Sequence, residues 1–193
     1  MSEEPTSTPA PSAFSFRTLI LFAVLVALVI VAVITPVYRK TTQGRVAALD
    51  ELVGQSAPSL TLPLLGGSTF DLQAERGHVV VLDFWATWCA PCIEAMPEVH
   101  KTVEQFADKG VKLVAVSVDD TADRIELYKP YLSLQSPVAL AVGTDVPAAY
   151  GVRSIPTLIV IDDKGVVRFA RAMTAAEVRA ELAGAIESAL KNS

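Results

Sequence analysis

Cys89 and Cys92 are the only cysteines in a chain of 193 residues, and only Ala90-Pro91 separates them. Thiols spaced i, i+3 at the start of a helix share one face and can close into a small disulfide. The first sulfur then caps the positive end of that helix. Peptide dipoles there favour a thiolate, so Cys89 is expected to titrate below the ~8.5 of a free cysteine. A thiolate attacks another disulfide, and the second thiol resolves the mixed disulfide from within. The pair therefore points to dithiol–disulfide exchange. Two other uses of the motif compete. A structural bridge across so short a loop constrains the unfolded chain little. Zinc wants four ligands, but there is no second cysteine pair, and His78 and His100 lack a ligand spacing. No metal and no other cofactor is expected.

The surrounding stretches must place these sulfurs. Residues 79–85 read as a strand apolar on both faces, suited to the middle of a sheet. A helix is predicted over 90–109, with Met96, Val99, Val103 and Phe106 as its core stripe, Pro97 as a kink and Gly110 as its stop. Ahead of the strand, residues 60–62 and 69–72 flank Gly66-Gly67 as a hairpin. Further strands are predicted at 111–118, closed by Asp119-Asp120, and at 138–142, with a helix over 123–134 between them. A short helix follows near 145–151. Residues 157–161 and 166–169 bracket Asp162-Asp163-Lys164-Gly165, a hairpin turn signature. Thr174 to Glu177 spells a capping box, and Val178, Leu182, Ile186 and Leu190 form the buried face of a last helix. This order predicts an α/β domain, a central mixed sheet with an N-terminal hairpin and helices on both faces.

The hydrophobic share is 51%, and one segment explains most of it. Residues 19–34 are unbroken apolar sequence, and 18–38 is long enough to cross a hydrocarbon core of about 30 Å. No small-x-small cleavage site follows, so the segment reads as one uncleaved transmembrane helix rather than a signal peptide. The expected organisation is a disordered tail (1–17), an anchor (18–38), a linker (39–53) and a globular domain (54–193). Arg17 precedes the anchor and Arg39, Lys40 and Arg45 follow it, so the charge bias alone favours a cytoplasmic domain and leaves orientation open. A net charge of −5 spread along the chain, without a basic patch, argues against a nucleic-acid partner.

Residues 83–92, Asp-Phe-Trp-Ala-Thr-Trp-Cys-Ala-Pro-Cys, resemble the active-site stretch of thioredoxins, and Pro97 follows at their usual spacing. Residues 150–157, Tyr-Gly-Val-Arg-Ser-Ile-Pro-Thr, resemble their cis-proline loop. The opening at 54–58 and the extra length between Asp119 and Tyr150 are similar to the membrane-anchored TlpA/ResA-like branch. That resemblance implies a thioredoxin-like fold from about residue 54 onward, and a thiol-disulfide oxidoreductase on the periplasmic side of the cytoplasmic membrane. Its substrates would be protein disulfides, often in apocytochrome c or copper-delivery proteins, and a transmembrane donor would supply its electrons. It also implies roles for single residues. Pro156 would be cis and lie against the disulfide, Ile155 would pair its backbone with an extended substrate, and Trp88 would be an apolar platform beside an exposed sulfur. Asp83, costly to bury charged, would carry a raised pKa and exchange a proton with Cys92.

Some positions depart from the pattern. The lysine that accompanies the buried aspartate in thioredoxins aligns with Val116 here. The branch's glutamate three residues after the second cysteine is Ala95, with Glu94 one place earlier; Glu94 and His100 read as solvated helix residues. Two alternatives stay open. A thiol peroxidase of the same superfamily wants a threonine three residues before its cysteine, whereas Thr87 lies two before Cys89. A copper carrier of the same fold wants further soft ligands, and Met96 and Met173 are the methionines the domain offers.

Overall fold

The computed structural model describes residues 20–29 and 49–192, and these fall into two separate units. Residues 20–29 (α1) are helical with their large apolar side chains exposed. Among the described residues no helix is long and apolar enough to cross a membrane. The segment 18–38 lies largely outside them, as do the tail 1–17 and most of the linker 39–53.

From Leu49 on, the apolar runs become two sheets. The hairpin is β1 (Thr61–Pro63) with β2 (Thr69–Asp71), antiparallel across Gly66-Gly67. The five-stranded sheet has the order β5-β4-β3-β6-β7, built from β3 (Val80–Trp85), β4 (Lys112–Ser117), β5 (Val138–Leu140), β6 (Thr157–Ile161) and β7 (Val167–Ala172). β3 is its centre, parallel to β4 and antiparallel to β6, and all six of its residues are buried. A run that is apolar on both faces except at Asp83 does what its pattern requires.

Alternate residues of β3 serve two layers. Val80, Leu82 and Phe84 join Leu60, Leu62, Phe70 and Tyr150 on one face. Val79 and Val81 meet Val99 and Val103 of α2 (Ala90–Glu104) and Leu182 and Ile186 near α6 (Ala183–Lys191) on the other. Ile125 of α3 (Ala122–Tyr128) packs with Trp85 and Ala115 on that same face. The longer helices thus share one face. The other is covered by the hairpin and by the single turn of α4 (Val146–Ala149), because the hairpin's own apolar residues fill it.

Three helices differ from expectation. The active-site helix ends at Glu104, and a separate 3-10 turn, Ala107–Lys109, runs into Gly110 at φ 74°. Such tightening is common at helix ends, and here it accompanies a buried Phe106. The stretch expected to be helical over 123–134 stops at Tyr128 and continues as a 3-10 turn holding Pro130, which lacks an amide proton. The capping box at Thr174 forms as expected and starts α5 (Ala175–Glu177), but a π-helical segment, Val178–Leu182, precedes α6. Val178, Leu182 and Ile186 are fully buried, whereas Leu190 is only partly so.

The stretch before β3 also crosses the sheet from edge to edge. Gly54 and Ala57 donate backbone bonds to Val167 and Gly165 at the start of β7, and Leu65 donates one to Val138 at the start of β5.

The β6–β7 turn is held by Asp162, whose carboxylate accepts from the amides of Lys164 and Val166 and from Arg168 Nε. It closes through Gly165 at φ 74°, where an added Cβ would also fall on the Arg76 guanidinium. Gly165→Ala is expected to destabilise the domain by about 1–2 kcal/mol through the left-handed backbone it must keep. The measurement is a lowered urea midpoint at unchanged slope.

Candidate active site

β3 delivers the chain to the cysteines. After Trp85 the backbone turns, with the Cys89 amide donating to the Ala86 carbonyl at 3.1 Å. Cys89 is the N-cap of α2, and its Sγ accepts from the Cys92 amide at 3.2 Å. Pro91 sits in the first turn, where a missing amide proton is tolerated. Cys89 and Cys92 are joined as a disulfide with an S–S distance of 2.03 Å and a Cα–Cα distance of 5.2 Å. The sulfur of Cys89 thus stands where amide dipoles converge, and on reduction that environment favours its thiolate.

The first sulfur is more enclosed than the expected exposed one. Cys89 is 4% exposed and Cys92 2%, both within the cluster of Trp85, Met96, Ala115 and Ile125. Ile155 packs onto the same cluster and adds to the cover. The exposed group is Trp88, at 58%, while Trp85 is the core tryptophan. Trp88 shares a cleft of about 460 Å³ with Val118, Val152, Arg153 and Ile155. The Ile155–Pro156 peptide bond is cis, as expected, and Pro156 is buried.

Asp83 lies on the face of β3 that carries Val81 and Trp85, the side covered by α2. It is buried, and burial pushes its carboxyl up to about 7. The position opposite it needs a correction. The β3–β4 register sets Ala115, not Val116, beside Asp83, and Val116 beside Phe84 on the far face. A strand flips its side chains at every step, so a one-residue misalignment moves a residue through the sheet. The consequence is the same: an alanine gives the carboxylate no charge partner. Glu94 is exposed and Ala95 buried. His100 is half-buried beside a different cleft, and burial lowers its pKa against the opposing pull of Glu104.

Sequence reasoning missed Asp119 and Asp120, which it read only as the end of a strand. Asp119 accepts from Trp88 Nε1 with both oxygens, at 3.1 and 3.0 Å. Asp120 is 1% exposed and accepts from the Thr87 amide at 2.6 Å and hydroxyl at 2.7 Å. A signal existed. β3 and β4 are parallel, so their carboxyl ends lie side by side, the end at which sites form in such sheets.

The alternatives can be set against this geometry. Ala86, without a hydroxyl, stands three residues before Cys89, and the Thr87 hydroxyl is engaged by Asp120 and Arg124. Of the two methionines, Met96 packs with the cysteines and Met173 lies in another cluster.

Comparison with known proteins agrees with the site. The AhpC/TSA family matches residues 53–170. A thiol-disulfide oxidoreductase ResA of Bacillus cereus is 32% identical over 126 residues, 65% of this chain and 73% of that protein. The thioredoxin-like protein YneN of Bacillus subtilis is 36% identical over 118 residues, 60% of this chain and 68% of that one. Among solved structures, a putative thiol:disulfide interchange protein DsbE from Chlorobium tepidum superposes with a TM-score of 0.66 at 32% identity, covering 72% of this chain and 97% of that one. With a CxxC pair closed at the head of α2 and relatives of this kind, the chain belongs to the AhpC/TSA family and is a thioredoxin-like thiol-disulfide oxidoreductase.

Proposed function

We propose that this oxidoreductase is a membrane-anchored reductase of protein disulfides, held by residues 18–38 in the cytoplasmic membrane with its domain on the periplasmic side. The apolar length of that segment and the similarity to ResA and DsbE support the reading. The observation that carries it is the Cys89 sulfur at the amide end of α2, with Cys92 one turn behind it. In the reduced protein, the Cys89 thiolate attacks a substrate disulfide and expels one substrate thiolate. Cys92 then attacks Cys89 Sγ, releases the second substrate thiol and leaves the Cys89–Cys92 disulfide. Two electrons and two protons pass to the substrate, and a transmembrane donor restores the dithiol. Asp83 takes the proton from Cys92 in the second step, a task suited to a carboxyl near neutrality.

Trp88, Ile155 and Pro156 engage the substrate segment. Ile155 offers its backbone to an extended chain, and Trp88 offers a ring fixed by Asp119. Apocytochromes and copper-delivery proteins, whose cysteines must be reduced before they bind haem or metal, are the substrate class.

Equilibration of the full chain with glutathione buffers tests the direction. A reductase lies on the reducing side of the glutathione couple, and a pair on the oxidising side would reverse the proposal. Labelling of Cys89 in intact cells by a membrane-impermeant maleimide tests the placement. Trp88→Ala is expected to raise KM for a disulfide-bonded polypeptide about tenfold, the order of an aromatic contact of 1–2 kcal/mol. Turnover of glutathione disulfide, too short to lay an extended chain along the Trp88 cleft, should hardly change.

A further inference from the structure

Asp120 sits at the carboxyl end of β4, buried, with more partners than any other carboxylate near the site. Besides both Thr87 groups, its oxygens accept from Ser117 Oγ at 3.2 Å and pair with Arg124 Nε at 3.1 Å. Arg124, half-exposed in the first turn of α3, also donates through Nε to the Thr87 hydroxyl at 2.9 Å. Thr87 is therefore held through its amide and its hydroxyl. It stands two residues before Cys89, at most about 7.6 Å along the Cα trace. Whatever fixes Thr87 fixes how Cys89 meets the helix end.

This fixation has an electrostatic drawback. A carboxylate bound to the residue two places before Cys89 opposes a second negative charge there and, alone, would push the thiol upward. The guanidinium on the same carboxylate removes that penalty. We propose that Asp120 and Arg124 form a charge-compensated clamp: Asp120 is a positioning residue that fixes Thr87 and so Cys89, and Arg124 cancels the negative charge that the clamp brings beside the thiolate. The inference rests on the exchange chemistry above and deepens it. Other charged groups around Cys89 are Asp119 behind Trp88, Asp83 on β3 beneath α2, Arg153 across the cleft and Glu94 on α2. None of them is altered in the test.

The full chain, reduced, is titrated by the pH dependence of Cys89 alkylation. Arg124→Gln is expected to raise the midpoint by about half a pH unit, roughly a threefold loss of thiolate below it, allowing for a half-exposed guanidinium. Asp120→Asn keeps the shape and an acceptor for Thr87 but removes the charge, so its midpoint should fall by a similar amount. The double variant should return towards the parent. Arg124→Lys keeps the charge without the planar fork and should stay near the parent; it also carries the test if Asp120→Asn fails to fold. A purely structural clamp would move both single variants the same way. That result, or no shift in Arg124→Gln, overturns the proposal. A parent whose Cys89 neither exchanges with glutathione disulfide nor titrates below an ordinary thiol would instead overturn the exchange reading itself.

Discussion

Cys92→Ser is expected to leave the protein able to attack a disulfide but unable to release it. The Cys89 sulfur keeps its place at the head of α2, because the bond it accepts comes from the Cys92 backbone, not from the Cys92 thiol. The first step therefore survives. The second loses an intramolecular nucleophile, whose advantage in well-oriented cases reaches about 10⁵–10⁸ M of effective concentration. Replacing it by millimolar external thiol lowers turnover by at least about 10³-fold. A mixed disulfide should accumulate on Cys89 and be visible by mass spectrometry, with the trapped polypeptide identifying the substrate. Cys89→Ser should lose turnover equally but trap nothing, since Cys92 does not cap the helix and lacks the amide environment that favours a thiolate. Adducts forming on Cys92 in that variant would mean that the order of the two thiols is reversed.

Asp83→Asn is expected to make the domain more stable and the enzyme slower. Burial alone moves the carboxyl from its ordinary 3.8 to about 7 in the folded protein. Between these values the folded state binds more protons than the unfolded one, so stability falls as pH rises from about 4 to about 7 and stays low above that range. The shift corresponds to a penalty on the order of 4 kcal/mol. Removing the ionisable group relieves it. The variant should gain stability in urea at pH 8 and almost none at pH 4, where the parent is already protonated. Resolution of the Cys89 mixed disulfide should slow by about 10²-fold, the low end of a proton-transfer contribution. A variant no more stable at pH 8 than its parent would mean that Asp83 is not a buried, unpaired carboxylate. Unchanged resolution would leave it stable but idle.

Much of this was legible in the residues because they use strong local signals. A run apolar on both faces, broken only by Asp83, was legible as the central strand, and Thr174 with Glu177 formed the cap its spacing promised. Cys89 and Cys92 needed only a helix start to meet. Less legible was whatever depended on partners distant in sequence. Asp120 reaches back 33 residues to Thr87, and no local pattern marks such a bond. Register was similarly hidden, which is why Val116 stood in for Ala115. Burial of the first sulfur also escaped, since the cluster around it draws Ala115, Ile125 and Ile155 from distant parts of the chain. Helix ends slipped where a single aromatic or proline decided the last turn, at Phe106 and Pro130.

The span from Gly54 to Leu65 touches the outermost strand on each flank of the large sheet. Open flanks are where foreign strands join and where fibrils start. One short piece of chain therefore guards two vulnerable borders at once. A version of the domain trimmed to begin after Leu65 would bare both together and strip Leu60 and Leu62 from the core, so self-association and lost stability would come as one defect.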